Sequence, residues 1–199
     1  MSEPEHQPIS IEALKRGDRA EFARLVDAYS THIYRLALRM LADPQDAEDV
    51  LQETFIKAMR ALPAFEGRSS LSTWLYRIAV NEALMMVRKR KPEVSLSTPA
   101  EDDDDEENGE ELQIVDWGHL PESELLSGES RRHIDQAVEN LPQKLKVVFL
   151  LRDVEGLSIE DAAATLGISQ AAVKTRLLRA RLQLRDALSS YYRERMKEK

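Results

Sequence analysis

Cysteine is absent from the 199-residue chain, and histidine occurs only four times. The first absence excludes disulfides and cysteine-ligated metal sites. The histidines are scattered, and no two stand at the spacing of a metal site; they are His6, His32, His119 and His133. We therefore expect no cofactor. Long apolar runs are also missing, both at the start of the chain and elsewhere, so the sequence predicts a cytoplasmic protein with no membrane insertion.

Positive charge is missing from one stretch of the chain. Residues 93–130 contain no lysine or arginine and 14 acidic residues, whereas residues 1–92 carry a net charge of +1 and residues 131–199 a net charge of +5. The overall charge of −8 therefore says little about partners, because DNA responds to charge within about 10 Å. Like charges at the density of residues 101–107 oppose packing. We predict a flexible acidic linker at residues 93–130.

Strand signals are nearly absent, because the chain has no sustained alternation of apolar and polar residues and no Asn-Gly or Asp-Gly hairpin turn. Apolar residues recur instead at three- and four-residue steps on both sides of the linker. The predicted fold class is all-α, with two small helical domains. The predicted segments are a disordered N-terminus at 1–10, a first domain at 11–92, the linker at 93–130, a second domain at 131–192 and a C-terminal tail at 193–199.

The first domain begins with a long amphipathic helix between Phe22 and Met40. Asp43 and Pro44 then suit the N-cap and the first position of a second helix. One face of that helix is apolar, and the other presents Asp49, Gln52, Glu53, Ile56 and Lys57. Ion pairs on a solvated face would explain the polar residues. The aliphatic residue among them fits a docking surface better.

A serine-rich loop beginning at Gly67 separates the second helix from the third and ends in a predicted N-cap at Ser72. The third helix carries Trp74 and Tyr76 and ends in the basic run 88–91. Cations at a helix C-terminus complement its dipole, but four in succession exceed what capping needs. The combination favours a surface that holds backbone phosphates while the loop accepts unstacked bases.

The second domain contains the pattern of a helix-turn-helix. A helix is predicted over 141–153, and Ser158 begins a capping box for a short helix that follows. Gly167 can adopt the left-handed conformation of a three-residue turn, and Ser169 caps a longer helix predicted from 170 to about 188. The outward residues of that helix are Lys174, Thr175, Leu178, Arg179, Arg181 and Arg185. A DNA-recognition helix has this character; an ordinary helical hairpin with a basic face is the alternative.

These motifs resemble, in order, those of the extracytoplasmic-function sigma factors. Residues 46–55 (DAEDVLQETF) are similar to the family's helix that binds the clamp coiled coil of the polymerase β′ subunit. Residues 72–81 (STWLYRIAVN) are similar to its downstream-promoter helix. Residues 141–142 and 156–163 resemble its fourth region, and residues 173–181 resemble its upstream-promoter recognition helix. Separated motifs in the right order are more specific than any one of them.

The resemblance implies a sigma region 2 helical bundle followed by a region 4 helix-turn-helix. The chain would bind core RNA polymerase, direct it to promoters and promote DNA melting, and would itself be no enzyme. The β′ clamp would contact Asp49, Gln52, Glu53 and Ile56, and the β flap would bind region 4. The −10 element and its flipped base would contact Gly67, Arg68, Ser69, Ser70, Leu71, Ser72, Trp74, Arg77, Asn81, Arg88 and Lys89. The −35 element would contact Ser169, Gln170, Ala172, Lys174, Thr175, Leu178, Arg179 and Arg181. An anti-sigma factor is an expected further partner.

Two departures from the family pattern leave alternatives open. Ala171 and Ala172 stand where polar readers of bases would fit, which leaves the base preference open. The acidic run 102–107 either imitates an RNA backbone in the polymerase's RNA path or acts as a solvated tether. Two other functions account for less of the sequence. A conventional helix-turn-helix regulator leaves the motif at 46–55 unexplained, and a carboxylate metal enzyme lacks a matching histidine or second acidic helix.

Overall fold

The computed structural model describes residues 9–90 and 128–197, with side chains described for 9–90 and 132–189. Every regular element in these ranges is a helix, so the all-α prediction is confirmed. The chain divides into two compact units, residues 1–90 and 91–199. The predicted acidic linker lies outside the described residues up to residue 127, and this part includes the run 102–107. The next described helix begins at residue 128, shortly before the predicted second domain.

Residues 9–90 of the first unit contain four α-helices and a short 3₁₀ turn. They are α1 (Ile11–Lys15), α2 (Arg19–Leu41), α3 (Pro44–Ala61), the 3₁₀ turn Leu62–Ala64 and α4 (Leu71–Arg90). Helices α2, α3 and α4 pack on one another. Their shared core contains Leu25, Ile33, Val50, Leu75 and Val80, which are completely buried. The predicted apolar stripe of α2 therefore faces this core.

Side-chain caps determine where α2 and α3 begin. Asp18 caps α2 by accepting hydrogen bonds from the backbone N–H groups of Ala20 and Glu21. Asp43 caps α3 by accepting from the N–H of Asp46 at 3.1 Å, as the sequence predicts. Between the two helices Ala42 has a φ of +55°, a left-handed conformation that is costly for any residue with a Cβ atom.

The predicted N-cap of α4 is wrong by two residues. The helix begins at Leu71, and the Ser70 hydroxyl, not that of Ser72, accepts a hydrogen bond from the N–H of Thr73 at 3.1 Å. Ser70 Oγ also lies 2.9 Å from Ser72 Oγ and 2.8 Å from Thr73 Oγ1. The loop therefore enters α4 through a small cluster of hydroxyls centred on Ser70.

Residues 128–197 of the second unit contain four α-helices and one π-helical turn. They are α5 (Gly128–Glu139), α6 (Gln143–Phe149), the π-turn Leu150–Val154, α7 (Ile159–Leu166) and α8 (Gln170–Lys197). The core contains Val148, Leu150, Leu151, Ala162 and Val173, all with no exposed surface. The sequence predicts one continuous helix over 141–153; the structure shows instead an α-helix that widens into the π-turn.

The π-turn is defined by its hydrogen bonds. The N–H of Glu155 donates to the carbonyl of Leu150 at 2.9 Å, and the N–H of Leu157 donates to the carbonyl of Leu151 at 2.9 Å. These bonds span five and six residues, where an α-helix spans four. The chain therefore gains one residue of length before α7, and Asp153, which lies in this turn, pairs with Arg181 of α8.

The helix-turn-helix prediction is confirmed in its local geometry. Ser158 caps α7 by accepting from the N–H of Asp161 at 2.9 Å. Gly167 ends α7 with a φ of +67°, and the N–H of Ile168 donates to the carbonyl of Ala163. Ser169 caps α8 by accepting from the N–H of Ala172 at 3.1 Å. Helix α8 extends to Lys197, beyond the predicted end near residue 188.

Candidate functional site

The polar face of α3 is exposed to solvent. Asp49, Gln52 and Glu53 are exposed and Ile56 is half-buried. Their spacing of three, one and three residues places all four on one side of the helix. We call these four residues the α3 face. Met59, which is 56% exposed and lies three residues beyond Ile56, extends it by one turn. Met59 is not among the predicted contact residues, although its helical spacing from Ile56 is a usable signal.

The loop before α4 presents most of its predicted residues to solvent. Gly67, with a φ of +73°, Arg68 and Ser70 are exposed, and Ser69 and Ser72 are half-buried. The Leu71 side chain is only 8% exposed and packs in the core, where it anchors the loop. Its contact with DNA stays a prediction.

Trp74 stands at the base of this loop. Its ring packs on that of Phe65 with centroids 5.1 Å apart and planes inclined at 52°, and it is half-buried. Phe65 itself is buried. One part of the indole is thus fixed by the core, and the remaining part is left at the surface beside the loop, a position suited to stacking on a base.

Helix α4 carries an exposed stripe that leads away from the loop. Arg77, Asn81, Met85 and Arg88 recur at four-, four- and three-residue steps on one side of the helix, and all four are exposed, as is Lys89. We call Arg77, Asn81, Arg88 and Lys89 the α4 stripe. It combines three cations and an amide, a composition suited to a nucleic-acid backbone.

Arg90 belongs to the same basic run but has a different environment. Its guanidinium forms ion pairs with Asp46 and, at 3.4 Å, with Asp43, and it donates to the carbonyl of Leu41 at 3.4 Å. The hydrogen bond from the N–H of Asp46 is the largest influence that lowers the pKa of Asp43 below its ordinary value, and the charge of Arg90 lowers it further. Within the described residues 88–90 of the basic run, Arg90 therefore has surroundings of its own.

The start of α8 exposes the predicted recognition residues. Ser169, Gln170, Lys174 and Arg179 are exposed, and Ala172, Thr175 and Leu178 are half-buried. The inward side of the helix is formed by Val173, Leu177, Ala180 and Leu184, together with Arg176, which is 9% exposed. Ser169 caps the helix by accepting from the N–H of Ala172, so the exposed residues lie in its first turns, the part of a recognition helix that contacts base edges.

Arg181 is held by an ion pair within the second unit. Its Nε and Nη2 atoms donate to the two carboxylate oxygens of Asp153 at 2.9 and 2.7 Å. These hydrogen bonds are the first cause of a raised pKa for Arg181. The bidentate pair uses part of a guanidinium with five N–H donors, so it orients Arg181 without occupying every donor. The sequence gives no signal for Asp153, because it lies 28 residues before Arg181 in a different element.

The described residues contain neither grouped metal ligands nor a helix that could cross a membrane. Within 9–90 and 128–197 no three histidine, aspartate or glutamate side chains are grouped as metal ligands. In the same part of the chain, no helix combines the length and apolarity needed to cross a bilayer. The acidic residues at the start of α3 have another use, because Asp43 caps the helix and Asp46 pairs with Arg90.

Comparison with known proteins decides the family. Residues 25–93 match Sigma-70 region 2, and residues 131–184 match Sigma-70, region 4. The ECF RNA polymerase sigma factor SigW of Bacillus subtilis is 39% identical over 183 residues, covering 89% of this chain and 94% of that protein. The chain belongs to the extracytoplasmic-function sigma factors. The RNA polymerase sigma-H factor of Pseudomonas aeruginosa is likewise 39% identical over 186 residues, covering 92% of this chain and 94% of that protein.

Solved structures agree with this assignment at the level of the fold. CnrH in complex with the cytosolic domain of CnrY is similar with a TM-score of 0.63 and 24% identity, covering 90% of this chain and 95% of that one. The sigma factor RpoE of Bartonella quintana, in complex with the anti-sigma factor NepR, has a TM-score of 0.61 and 24% identity, with 85% and 97% covered.

The two matched regions fall on the two units of the structure. Region 2 corresponds to α2, α3 and α4, and region 4 corresponds to the second unit from α5 into α8. This sigma factor is a DNA-binding transcription initiation factor that binds core RNA polymerase and directs it to promoters. The predicted function is confirmed, and the conventional helix-turn-helix regulator is set aside.

Proposed function

We propose that this sigma factor divides promoter recognition among three surfaces, each on its own helix. The α3 face binds the β′ clamp of the polymerase. The loop at 67–72, Trp74 and the α4 stripe capture the −10 element and its flipped base. The exposed residues at the start of α8, with Arg181 behind them, bind the −35 element as duplex DNA, and region 4 as a whole binds the β flap.

One observation carries the proposal: each of the three helices begins at a side-chain cap beside its proposed surface. Asp43, Ser70 and Ser169 accept hydrogen bonds of 3.1 Å from the first turns of α3, α4 and α8. A cap fixes the direction in which the chain enters a helix. The polar residues that follow are therefore presented in a defined orientation before any partner arrives, which lowers the entropic cost of binding.

The polymerase surface is tested with the double variant Gln52→Ala/Glu53→Ala. We expect it to bind core polymerase more weakly, because both side chains are exposed on the α3 face, while the full chain still binds −35 duplex DNA. Glu12→Gln, which changes an exposed acid on α1, is the matched control. Polymerase binding of the double variant at the level of this control would contradict the assignment.

The −35 surface is tested with Arg179→Ala. If Arg179 makes a bidentate contact with a base, its loss should cost about 1–3 kcal/mol in affinity for the preferred duplex and relax the preference at one position. Arg35→Ala removes an exposed cation from α2 and controls for the change in net charge. Binding to a library of −35 sequences reads out both effects, and an unchanged preference would refute base reading by Arg179.

Three further properties accompany the proposal. The chain supplies no catalytic group, and the polymerase carries out all chemistry. It works in the cytoplasm, where it meets the polymerase. It binds an anti-sigma factor, as suggested by the RpoE structure with NepR. Co-purification of this chain from its own cells, followed by identification of stoichiometric partners, tests the last point.

A further inference from the structure

The end of α4 is tied to the junction between α2 and α3. Arg90 is the last residue of α4, and its guanidinium reaches three acceptors that lie more than 40 positions earlier in the chain. These are the carboxylates of Asp46 and Asp43 and the carbonyl of Leu41. We call this group the Arg90 cluster. It connects the C-terminal end of α4, which also carries Arg88 and Lys89, directly to the first turn of α3.

The three acceptors at this junction suit a guanidinium, which is planar and has several N–H donors. Leu41 is the last residue of α2, so its carbonyl has no partner within that helix. Asp43 and Asp46 bring two carboxylates to the first turn of α3, and the side chain of Asp46 is only 22% exposed. A guanidinium can serve several acceptors at once, which a lysine ammonium does with less defined direction.

The neighbours of Arg90 behave differently. Arg88, Lys89 and Arg90 are all exposed; Arg88 and Lys89 belong to the α4 stripe, whereas the guanidinium of Arg90 pairs with acceptors of its own protein. One helix end thus carries cations with two distinct uses. Capping alone does not account for this division, because a favourable interaction with the helix dipole requires only that a cation lie near the last turn.

A second link between the same helices lies farther along. Lys57 of α3 pairs with Glu82 of α4 at 2.5 Å. Together the pair and the Arg90 cluster join α3 to α4 at two separated points, with the end of α4 beside the start of α3. Two points of attachment restrict the angle between packed helices more than one does, and a 20-residue helix spans about 30 Å, so a small rotation displaces its end considerably.

We infer that Arg90 is a positioning residue that sets the end of α4 relative to α3, so that polymerase binding and capture of the −10 strand occur in one fixed geometry. The inference rests on the proposed use of α3 for the polymerase and of α4 for the −10 element. Arg90 itself touches no phosphate in this scheme; it acts by placing Arg88 and Lys89.

The test compares Arg90→Gln with Arg88→Gln in full-length protein assembled with core polymerase. The measurement is the affinity for a single-stranded −10 oligonucleotide over a range of salt concentrations. Arg88→Gln should weaken binding and reduce the salt slope by about 0.7, because one phosphate contact is lost. Arg90→Gln should weaken binding about 2- to 30-fold and leave the slope unchanged.

Asp46→Asn gives a result of opposite sign under the two explanations. If the Arg90 cluster positions α4, this variant should weaken −10 binding, and the double variant with Arg90→Gln should be no worse than either single one. If Asp46 merely neutralises a phosphate-binding arginine, Asp46→Asn should tighten binding. Arg90→Lys should restore part of the affinity, and it carries the test together with Asp46→Asn if Arg90→Gln fails to fold by circular dichroism.

The outcomes distinguish a failure of the Arg90 inference from a failure of the −10 assignment of α4. A salt slope that falls equally for Arg90→Gln and Arg88→Gln, tighter binding by Asp46→Asn, or unchanged affinity of Arg90→Gln would each overturn the inference alone. If Arg88→Gln changes neither affinity nor slope, the −10 assignment of α4 fails, and the inference fails with it.

Discussion

Removal of the Ser70 hydroxyl should destabilise the first unit more than removal of the Ser72 hydroxyl. Ser70 Oγ accepts the hydrogen bond from the N–H of Thr73 and contacts the hydroxyls of Thr73 and Ser72. Loss of a serine N-cap costs about 1 kcal/mol. Thr73, only 6% exposed, would also lose a partner for its hydroxyl, so we expect a total near 1.5 kcal/mol for Ser70→Ala.

Ser72 lies within the first turn of α4, and its hydroxyl is joined only to that of Ser70 among the hydrogen bonds described for this loop. Ser72→Ala should therefore change stability by less than about 0.5 kcal/mol, which makes it the matched control. For a domain of this size, 1.5 kcal/mol corresponds to a decrease of roughly 6–12 °C in Tm.

The assay is urea unfolding followed by fluorescence. The chain has two tryptophans, so Trp117 is replaced by phenylalanine, and the signal then comes from Trp74, whose ring packs on Phe65. A cost of Ser72→Ala equal to or above that of Ser70→Ala would refute the reasoning, because it would mean that α4 is capped where the sequence pattern alone places the cap.

Three other perturbations follow from the backbone and the cores. Gly167→Ala should destabilise the second unit by about 1–2 kcal/mol in urea unfolding, because φ is +67° and the cost of a Cβ there is conformational, since the new atom would meet nothing within 4 Å. Ala42→Gly should raise the Tm of the first unit through a gain of up to about 1 kcal/mol, because it relieves a left-handed alanine; a lower Tm in scanning calorimetry would contradict this. Lys146 is 6% exposed, and burial lowers its pKa below 10.5, opposed by the charge of Glu139. The unfolded chain therefore binds the proton more tightly, so stability should rise with pH from the lowered pKa toward 10.5. Lys146→Met should be more stable than the natural chain at neutral pH and lose that advantage as pH rises, as measured by urea unfolding between pH 7 and 10.5.

Features that depend on neighbouring residues in the chain could be predicted from the sequence. The Asp43-Pro44 pair identifies the start of α3 because a cap and a proline act within one helical turn. Gly167 and Ser169 identify the turn and the start of α8 for the same reason. Each of these features requires only local backbone geometry, and each is found in the structure.

Features that depend on packing could not be predicted in this way. Three serines lie close together in the loop before α4, and the choice of Ser70 as the cap follows from the burial of Leu71 in the core. The contacts of Arg90 with Asp46 and of Arg181 with Asp153 join residues from different helices. Their side chains look like ordinary surface cations in the sequence, and only the tertiary structure gives them partners.

The π-turn at 150–154 has a consequence for how this domain tolerates insertions and deletions. A π-turn holds one residue more than an α-turn, and one residue rotates a helix by about 100°. Deletion of a residue there would restore the α-helical phase and turn Asp153 away from Arg181. Among relatives, the extra residue and the acid–arginine pair should therefore be gained and lost together, as a single evolutionary unit.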